Sequence, residues 1–258
     1  MSAAAKGGAD LAVFRRFGGP PREDMAFEEE LLAMAAAGRP ALFAYSWPRP
    51  TAVLGYGQPV EDVDLEACRR LQIEVLRRIT GGAGVVHSGD LAVSLALPAS
   101  HPWAGRIAGL YDRFLGALGG VLGDAGAEVR RPDPPSAKSR RRSPICFEDQ
   151  AADTLTIGGR KAVGCAQARR KAAVLVHAAI LLGLDADLYA AVFGVDAERI
   201  RRALAPAVTG VTPDDLAGRI ARRLGEALDL APRPPEAPPV ADRFLDRYRD
   251  PHWAPLTA

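Results

Sequence analysis

The chain has 258 residues, 48% hydrophobic and 25% charged, the balance of an ordinary globular protein with enough length for one large domain or two small ones. A formal net charge of +2 makes no case for nucleic acid, and three cysteines without a CxxC spacing, beside four histidines, indicate neither a disulfide framework nor a metal site. The longest apolar run, Ala172 to Leu184, is broken by His177 and falls short of the ~20 residues a bilayer demands, and the first residues hold no apolar stretch of signal-peptide length, so a cytoplasmic protein with no membrane partner is expected.

Leu11 to Phe17 reads as a first strand, closed by Gly18, Gly19, Pro20 and Pro21. An amphipathic helix is expected from Met25 to Gly38, with acidic residues early and a terminating glycine. Ala41 to Trp47 and Thr51 to Gly55 read as strands joined by a proline-bearing turn, and a short helix follows from Asp64 to Leu71. Ile73 to Ile79 is a strand that runs into Gly81, Gly82, Ala83 and Gly84; the chain stays extended through Val85 to His87, and Leu91 to Leu97 is the next strand. Apolar residues at helical period place a long helix over Arg106 to Gly123. Arg131 to Ser143 is rich in proline and charge and reads as a mobile loop leading into Cys146. Leu155 to Ile157 and Lys161 to Ala168 form a hairpin about Gly158-Gly159, with Val174 to Leu182 as a further long strand. Helical patterns follow at Leu188 to Phe193, Glu198 to Leu204 and Pro213 to Leu228, then a proline-rich spacer, Ala231 to Pro239, and a terminal helix containing Arg243 to Arg249. Clustered strands with helices before and after predict an α+β fold, its sheets mixed but mostly antiparallel and packed with helices. The expected organisation is a single domain over residues 1–258 with a helical C-terminal tail from about residue 196 to 258.

Two segments carry candidate chemistry. Cys146 lies in the run SPICF, and Lys161 opens a strand after a tight turn downstream of it. A thiolate is the attacking form of cysteine, and an ammonium beside it lowers the thiol pKa and polarises an acyl carbonyl, so the pair suggests acyl chemistry. A cysteine between Ile145 and Phe147 is, taken alone, most often a small buried hydrophobe. The second segment runs from Arg77 to Leu95. Its glycines let the backbone approach a ligand, with Arg77 or Arg78 available for a phosphate or carboxylate, or else they form a glycine-rich turn. Basic clusters at Arg140 to Arg142, Arg169 to Lys171 and Arg222-Arg223 suit either an acidic partner or solvent.

The spacing of Arg77-Arg78, Gly81-Gly82 and Val85-Val86-His87, followed by Gly159-Arg160-Lys161 and then Gly164 and Gln167, resembles the biotin/lipoate protein ligase superfamily, specifically the lipoate-protein ligase A catalytic domain. Met25-Ala26 with Glu28 and Glu30 resembles that family's first helix. Trp47 to Thr51 with Leu54 to Gln58 resembles its strand pair, and Arg247 to Trp253 the terminal segment of one branch. The most similar branch is the cysteine-dependent octanoyl-[acyl carrier protein]:protein octanoyltransferase.

That resemblance implies a biotin/lipoate ligase-like fold and an acyltransferase of lipoylation. Cys146 and Lys161 would be catalytic, the cysteine carrying an octanoyl thioester and the lysine activating it. Arg78, Gly81, Gly82, Gly84 and His87, with Gly164 and Gln167 on the facing strand, would bind substrate. The donor implied is acyl carrier protein. The acceptor is a lipoyl-domain protein such as glycine cleavage H protein or a 2-oxoacid dehydrogenase E2, and neither cofactor nor metal is required. Departures stand at Cys165, expected to face the pocket where serine is usual, and at Ala83, Val93 and His177-Ala178-Ala179. Two further readings remain: an ATP-dependent lipoate-protein ligase using Mg-ATP, and a non-catalytic lipoyl- or acyl-binding protein.

Overall fold

A computed structural model of the chain describes residues 10–132 and 153–256. β1 (Asp10–Phe17) leads into α1 (Pro21–Ala36) and β2 (Ala41–Ser46). β3 (Thr51–Leu54), α2 (Leu65–Arg70), β4 (Glu74–Arg77), β5 (Val85–His87) and β6 (Asp90–Pro98) follow, then the long α3 (Ile107–Asp124) and the two-residue β7 (Val129–Arg130). After the undescribed residues come β8 (Thr154–Ile157), β9 (Arg160–Arg169) and β10 (Ala173–Leu181). Next are α4 (Ala186–Phe193), α5 (Ala197–Ala203), α6 (Pro213–Leu228), β11 (Ala231–Pro232) and α7 (Asp242–Leu245).

One sheet has the order β11-β1-β2-β6-β10-β9-β8-β7, and a smaller one has the order β4-β3-β5. Pairing is antiparallel from β2 to β7 and parallel between β11, β1 and β2, and the small sheet joins β3 parallel to β4 and antiparallel to β5. The α+β expectation with mostly antiparallel pairing matches this arrangement. α3 and α6 cover one face of the large sheet. Alternation gives that face Leu42, Val93, Leu95, Val176 and Cys165. The opposite face carries Phe43, Tyr45, Ala92 and Leu175, and packs against α1 and the small sheet. The functional cavity opens within this second layer.

Four differences from the sequence reading have local causes. α1 starts at Pro21, four residues before the apolar pattern, because proline at the first helical position has a preset φ and no amide to waste, while Glu23 and Asp24 lie at the positive end of the helix dipole. β2 and β3 do not pair with each other: residues 47–50 carry the chain from the large sheet to the small one. Residues 231–239 are not a plain spacer. Ala231 and Pro232 pair with Asp10 and Leu11, and the amide of Glu236 donates to the Val13 carbonyl at 2.9 Å. Proline is tolerated there because an edge strand needs no outward N–H partner. β7 was also not anticipated. Most of the proline- and charge-rich stretch read as mobile, residues 133–143, lies outside the described residues, as does Cys146.

The loops after β3 and β4 meet backbone to backbone. A Cβ placed on Gly55 would stand 1.8 Å from the Gly82 carbonyl oxygen, so only glycine permits this approach. Gly55→Ala is therefore expected to lower unfolding free energy by ~3 kcal/mol or more, at the upper end of overpacking costs, because backbone and not a flexible side chain must yield. Gly57→Ala, with no neighbour within 4 Å, is expected to change it by less than about 1 kcal/mol. Equal denaturation midpoints for the two variants would contradict this contact.

Candidate functional site

A pocket lies between the large sheet and the layer formed by α1 and the small sheet. Met25 comes from α1, Val53 and Val85 from β3 and β5, Arg78 and His87 from the ends of β4 and β5, and Tyr45, Ala92, Gly164, His177 and Ala179 from the large sheet. Its walls are mainly apolar, with a few convergent polar groups, the usual composition of a small-molecule site.

Arg78 is only 4% exposed, and its guanidinium is engaged with protein. Nε donates to Thr80 Oγ1 at 2.9 Å, Nη1 to the Val53 carbonyl at 3.3 Å, and Nη2 to the Gly81 and Ala83 carbonyls at 2.7 and 2.9 Å. Its charge thus braces the glycine segment from inside. Gly82 takes φ +93°, which a side chain would strain. Gly84 is packed beneath α4, where a Cβ would stand 2.6 Å from the Phe193 ring. Gly81, Gly82 and Gly84 build the loop over the site and do not line the cavity.

His87 does line it. Its Nδ1 lies 2.5 Å from Asp90 Oδ2, and its ring packs edge-on to Trp47 at 4.7 Å. Trp47 in turn donates through Nε1 to Asp24 at 2.9 Å, and Arg16 Nε donates to the same carboxylate at 2.6 Å. Burial pushes the Asp24 carboxyl up to about 6 against the pull of those two donors.

Gly164 borders the cavity from β9, but Gln167 sits away from it. Its Nε2 donates to the Ile107 carbonyl at 3.2 Å, and its Oε1 accepts from Arg169 at 3.0 Å. Lys161, 1% exposed, stands three residues before Gly164 on the same strand, where its carbonyl accepts from the Ala205 amide at 3.0 Å. The expectation that Cys165 faces the pocket is corrected. Strand alternation turns its side chain into the core under α3 and α6, opposite to Gly164 and Ala166, so the cavity meets it through the strand backbone. Cys68 is a packing residue: burial, with Asp64 beside it, pushes its thiol up to about 11. Of the basic clusters, Arg169 is tied to the Gly105 carbonyl at 3.0 Å and Arg223 to Asp124 at 2.9 Å, Lys171 is exposed, and Arg140 to Arg142 lie outside the described residues.

Sequence reasoning missed a buried polar chain beside the cavity. Glu28 Oε1 accepts from Tyr45 Oη at 3.0 Å and Ser94 Oγ at 2.5 Å, and lies 3.1 Å from His177 Nδ1. His177 Nε2 lies 2.9 Å from Thr80 Oγ1, which also accepts from Arg78. Burial alone would raise the Glu28 carboxyl, but His177, Ser94 and Tyr45 together hold it below the ordinary glutamate range. The available signal was a glutamate within the apolar stripe of α1 and a histidine interrupting an apolar strand. Each costs free energy unless paired. Among the described residues no cluster of three histidine, cysteine or carboxylate groups is arranged to hold a metal, and no helix is long and apolar enough to cross a membrane.

A family model for the lipoyl protein ligase A/B catalytic domain matches residues 20–216. The chain is 37% identical to octanoyltransferase LipM of Geobacillus kaustophilus, over 72% of this chain and 70% of that one. It is 34% identical to octanoyltransferase LipM of Moorella thermoacetica, over 71% and 69%. A solved structure of lipoate-protein ligase A bound with ATP superposes with a TM-score of 0.79 at 25% identity, covering 95% of this chain and 98% of that one.

Proposed function

Because the chain belongs to the lipoyl protein ligase A/B catalytic-domain family, we propose that it is an octanoyltransferase of protein lipoylation that works through a thioester on Cys146. The donor is octanoyl acyl carrier protein. The acceptor is the lysine of a lipoyl domain, of the kind found in glycine cleavage H protein or a 2-oxoacid dehydrogenase E2. The observation that carries this reading is the likeness to octanoyltransferases across some 70% of both chains, with a largely apolar cavity at the centre of the matched region.

In the first half-reaction the Cys146 thiolate attacks the donor carbonyl. The new C–S bond replaces the bond to the carrier's thiol, which leaves and takes a proton. In the second half-reaction the neutral acceptor amine attacks the same carbonyl, an amide forms, and Cys146 departs as thiolate while the amine's proton passes to solvent or a basic group. A nearly isoenergetic thioester exchange followed by a downhill aminolysis replaces one direct transfer, the logic of covalent catalysis. Lys161, with the amides of the surrounding loops, stabilises the oxyanion of each tetrahedral intermediate. Neither step consumes ATP or needs a metal. His87 and Gly164 contact the acyl group, while Arg78, Gly81, Gly82 and Gly84 hold the loop that covers it. Gln167 fixes β9 against the start of α3.

The likeness to an ATP-bound ligase favours a second reading, in which a free acid is first adenylated. Intact-mass measurement separates the two. Incubation with octanoyl carrier protein and no ATP is expected to add one octanoyl group, labile to hydroxylamine, and to pass it to a lipoyl domain. Loading from free lipoate or octanoate that depends on Mg-ATP, with no thioester adduct, would establish the ligase reading instead.

A further inference from the structure

The large sheet crosses the cavity with four residues in direct register. Gly164 of β9 lies opposite Ala179 of β10, Ala179 opposite Ala92 of β6, and Ala92 opposite Tyr45 of β2, and all four border the cavity. The first three have no side chain beyond Cβ, so they form a shallow transverse floor. The fourth is a large aromatic that rises from the same face. The next row of the sheet is bulkier: His177 stands opposite Ser94, and Ser94 opposite Phe43, which gives the floor a side wall. Met25 of α1 and Val53 of β3 border the cavity from the opposite layer.

Tyr45 is built not to yield. It is 3% exposed, its ring stacks on Phe43 at 4.6 Å and packs against Trp47 at 5.5 Å, and its hydroxyl donates to Glu28 at 3.0 Å. A side chain packed against two aromatic rings and hydrogen-bonded at its tip stays in one rotamer, as a fixed boundary requires.

We propose that Tyr45 is the end wall of an acyl-length ruler whose floor is Gly164, Ala179 and Ala92, with the reacting carbonyl at the β9 end and the terminal methyl against the tyrosine ring. The polarity follows from Lys161, which lies on β9, the strand farthest from Tyr45 in this row. The length follows from strand spacing. Gly164 to Ala92 is two inter-strand steps, about 10 Å at ~4.8 Å each. Eight saturated carbons in zigzag, with bonds of ~1.5 Å, extend on the order of 9 Å. A shorter chain leaves apolar floor uncovered, and a longer one meets the ring. The inference rests on the acyl-transfer reading above and specifies which residues of its cavity select chain length.

The test compares hexanoyl, octanoyl and decanoyl carrier-protein thioesters as donors and, separately, binding of the three free fatty acids by calorimetry. Native protein is expected to prefer octanoyl over hexanoyl by roughly tenfold, as two buried methylenes warrant. Ala92→Leu is expected to lower the octanoyl-to-hexanoyl ratio of kcat/KM at least tenfold. Tyr45→Leu is expected to raise the decanoyl-to-octanoyl ratio by roughly tenfold, and Ala179→Val, at a partly exposed position, offers a second shortening variant should Ala92→Leu not fold. Fatty-acid affinities should shift in the same order. If folded variants change both donors equally and the acids bind with unaltered length preference, the ruler is wrong, whatever the transfer rate. If length-dependent binding follows the variants but no carrier-bound donor is used, the ruler stands and the octanoyltransferase reading falls.

Discussion

Cys146→Ala is expected to eliminate the hydroxylamine-labile octanoyl adduct and to slow transfer to a lipoyl domain by about four orders of magnitude or more. The size follows from what is removed. A nucleophile that carries a covalent intermediate has no substitute in the site, and what survives its loss is the catalysis due to binding and oxyanion stabilisation alone. The readout is intact mass for the first half-reaction and acceptor modification for the second. The two other cysteines serve as internal controls. Cys68 and Cys165 are buried, the first with its thiol pushed up to about 11, so neither should accept the acyl group in the variant. Transfer by Cys146→Ala at the native rate would end the covalent mechanism, and transfer that then required Mg-ATP would replace it with adenylation.

What was legible in the sequence is what is local. The hairpin of β8 and β9 announced itself by alternation about Gly158-Gly159, and both glycines take positive φ. α6 was legible to its exact bounds. Thr212 caps it by accepting from the Asp215 amide at 3.2 Å, Pro213 opens it, and acidic residues fill its first turn. The cavity was legible only in part. Arg78, His87 and Gly164 reach it, yet nothing in the spacing of Arg77 and Arg78 tells that the second arginine's donors are taken up by carbonyls of its own loop. The pairing of Glu28 with His177 spans 149 residues, and only the packing of α1 onto the middle of the sheet brings them together. Cys165 was misjudged for a related reason. Whether a strand residue faces one layer or the other is a matter of parity, and parity is fixed by which face α3 and α6 cover, which the motif does not record. The edge role of Ala231 and Pro232 was hidden because proline removes the alternation by which strands are recognised.

Lys161→Met, which keeps most of the side chain's length and apolar volume, is expected to slow acyl-enzyme formation by two orders of magnitude or more, the usual cost of losing one positioned stabiliser of developing negative charge. The residue suits such a role. It is 1% exposed, and an ammonium withdrawn from water acts through a lower effective dielectric than one at the surface. Its place is also secured by the main chain, since the Lys161 carbonyl accepts from Ala205 and the residue pairs with Thr156 across the hairpin, contacts that a side-chain substitution leaves intact. Loss of rate can therefore be separated from loss of fold by an unchanged circular dichroism spectrum. A second measurement bears on the thiol itself. An adjacent cation favours thiolate, so its removal should move the pH profile of Cys146 alkylation upward by about one unit or more. The variant and the native protein should then react alike well above the thiol's pKa, where both are fully ionised, and differ most near neutrality. If alkylation profiles coincide while transfer is slow, Lys161 acts on the oxyanion alone. If both alkylation and transfer are unchanged in the folded variant, the lysine has no part in the chemistry.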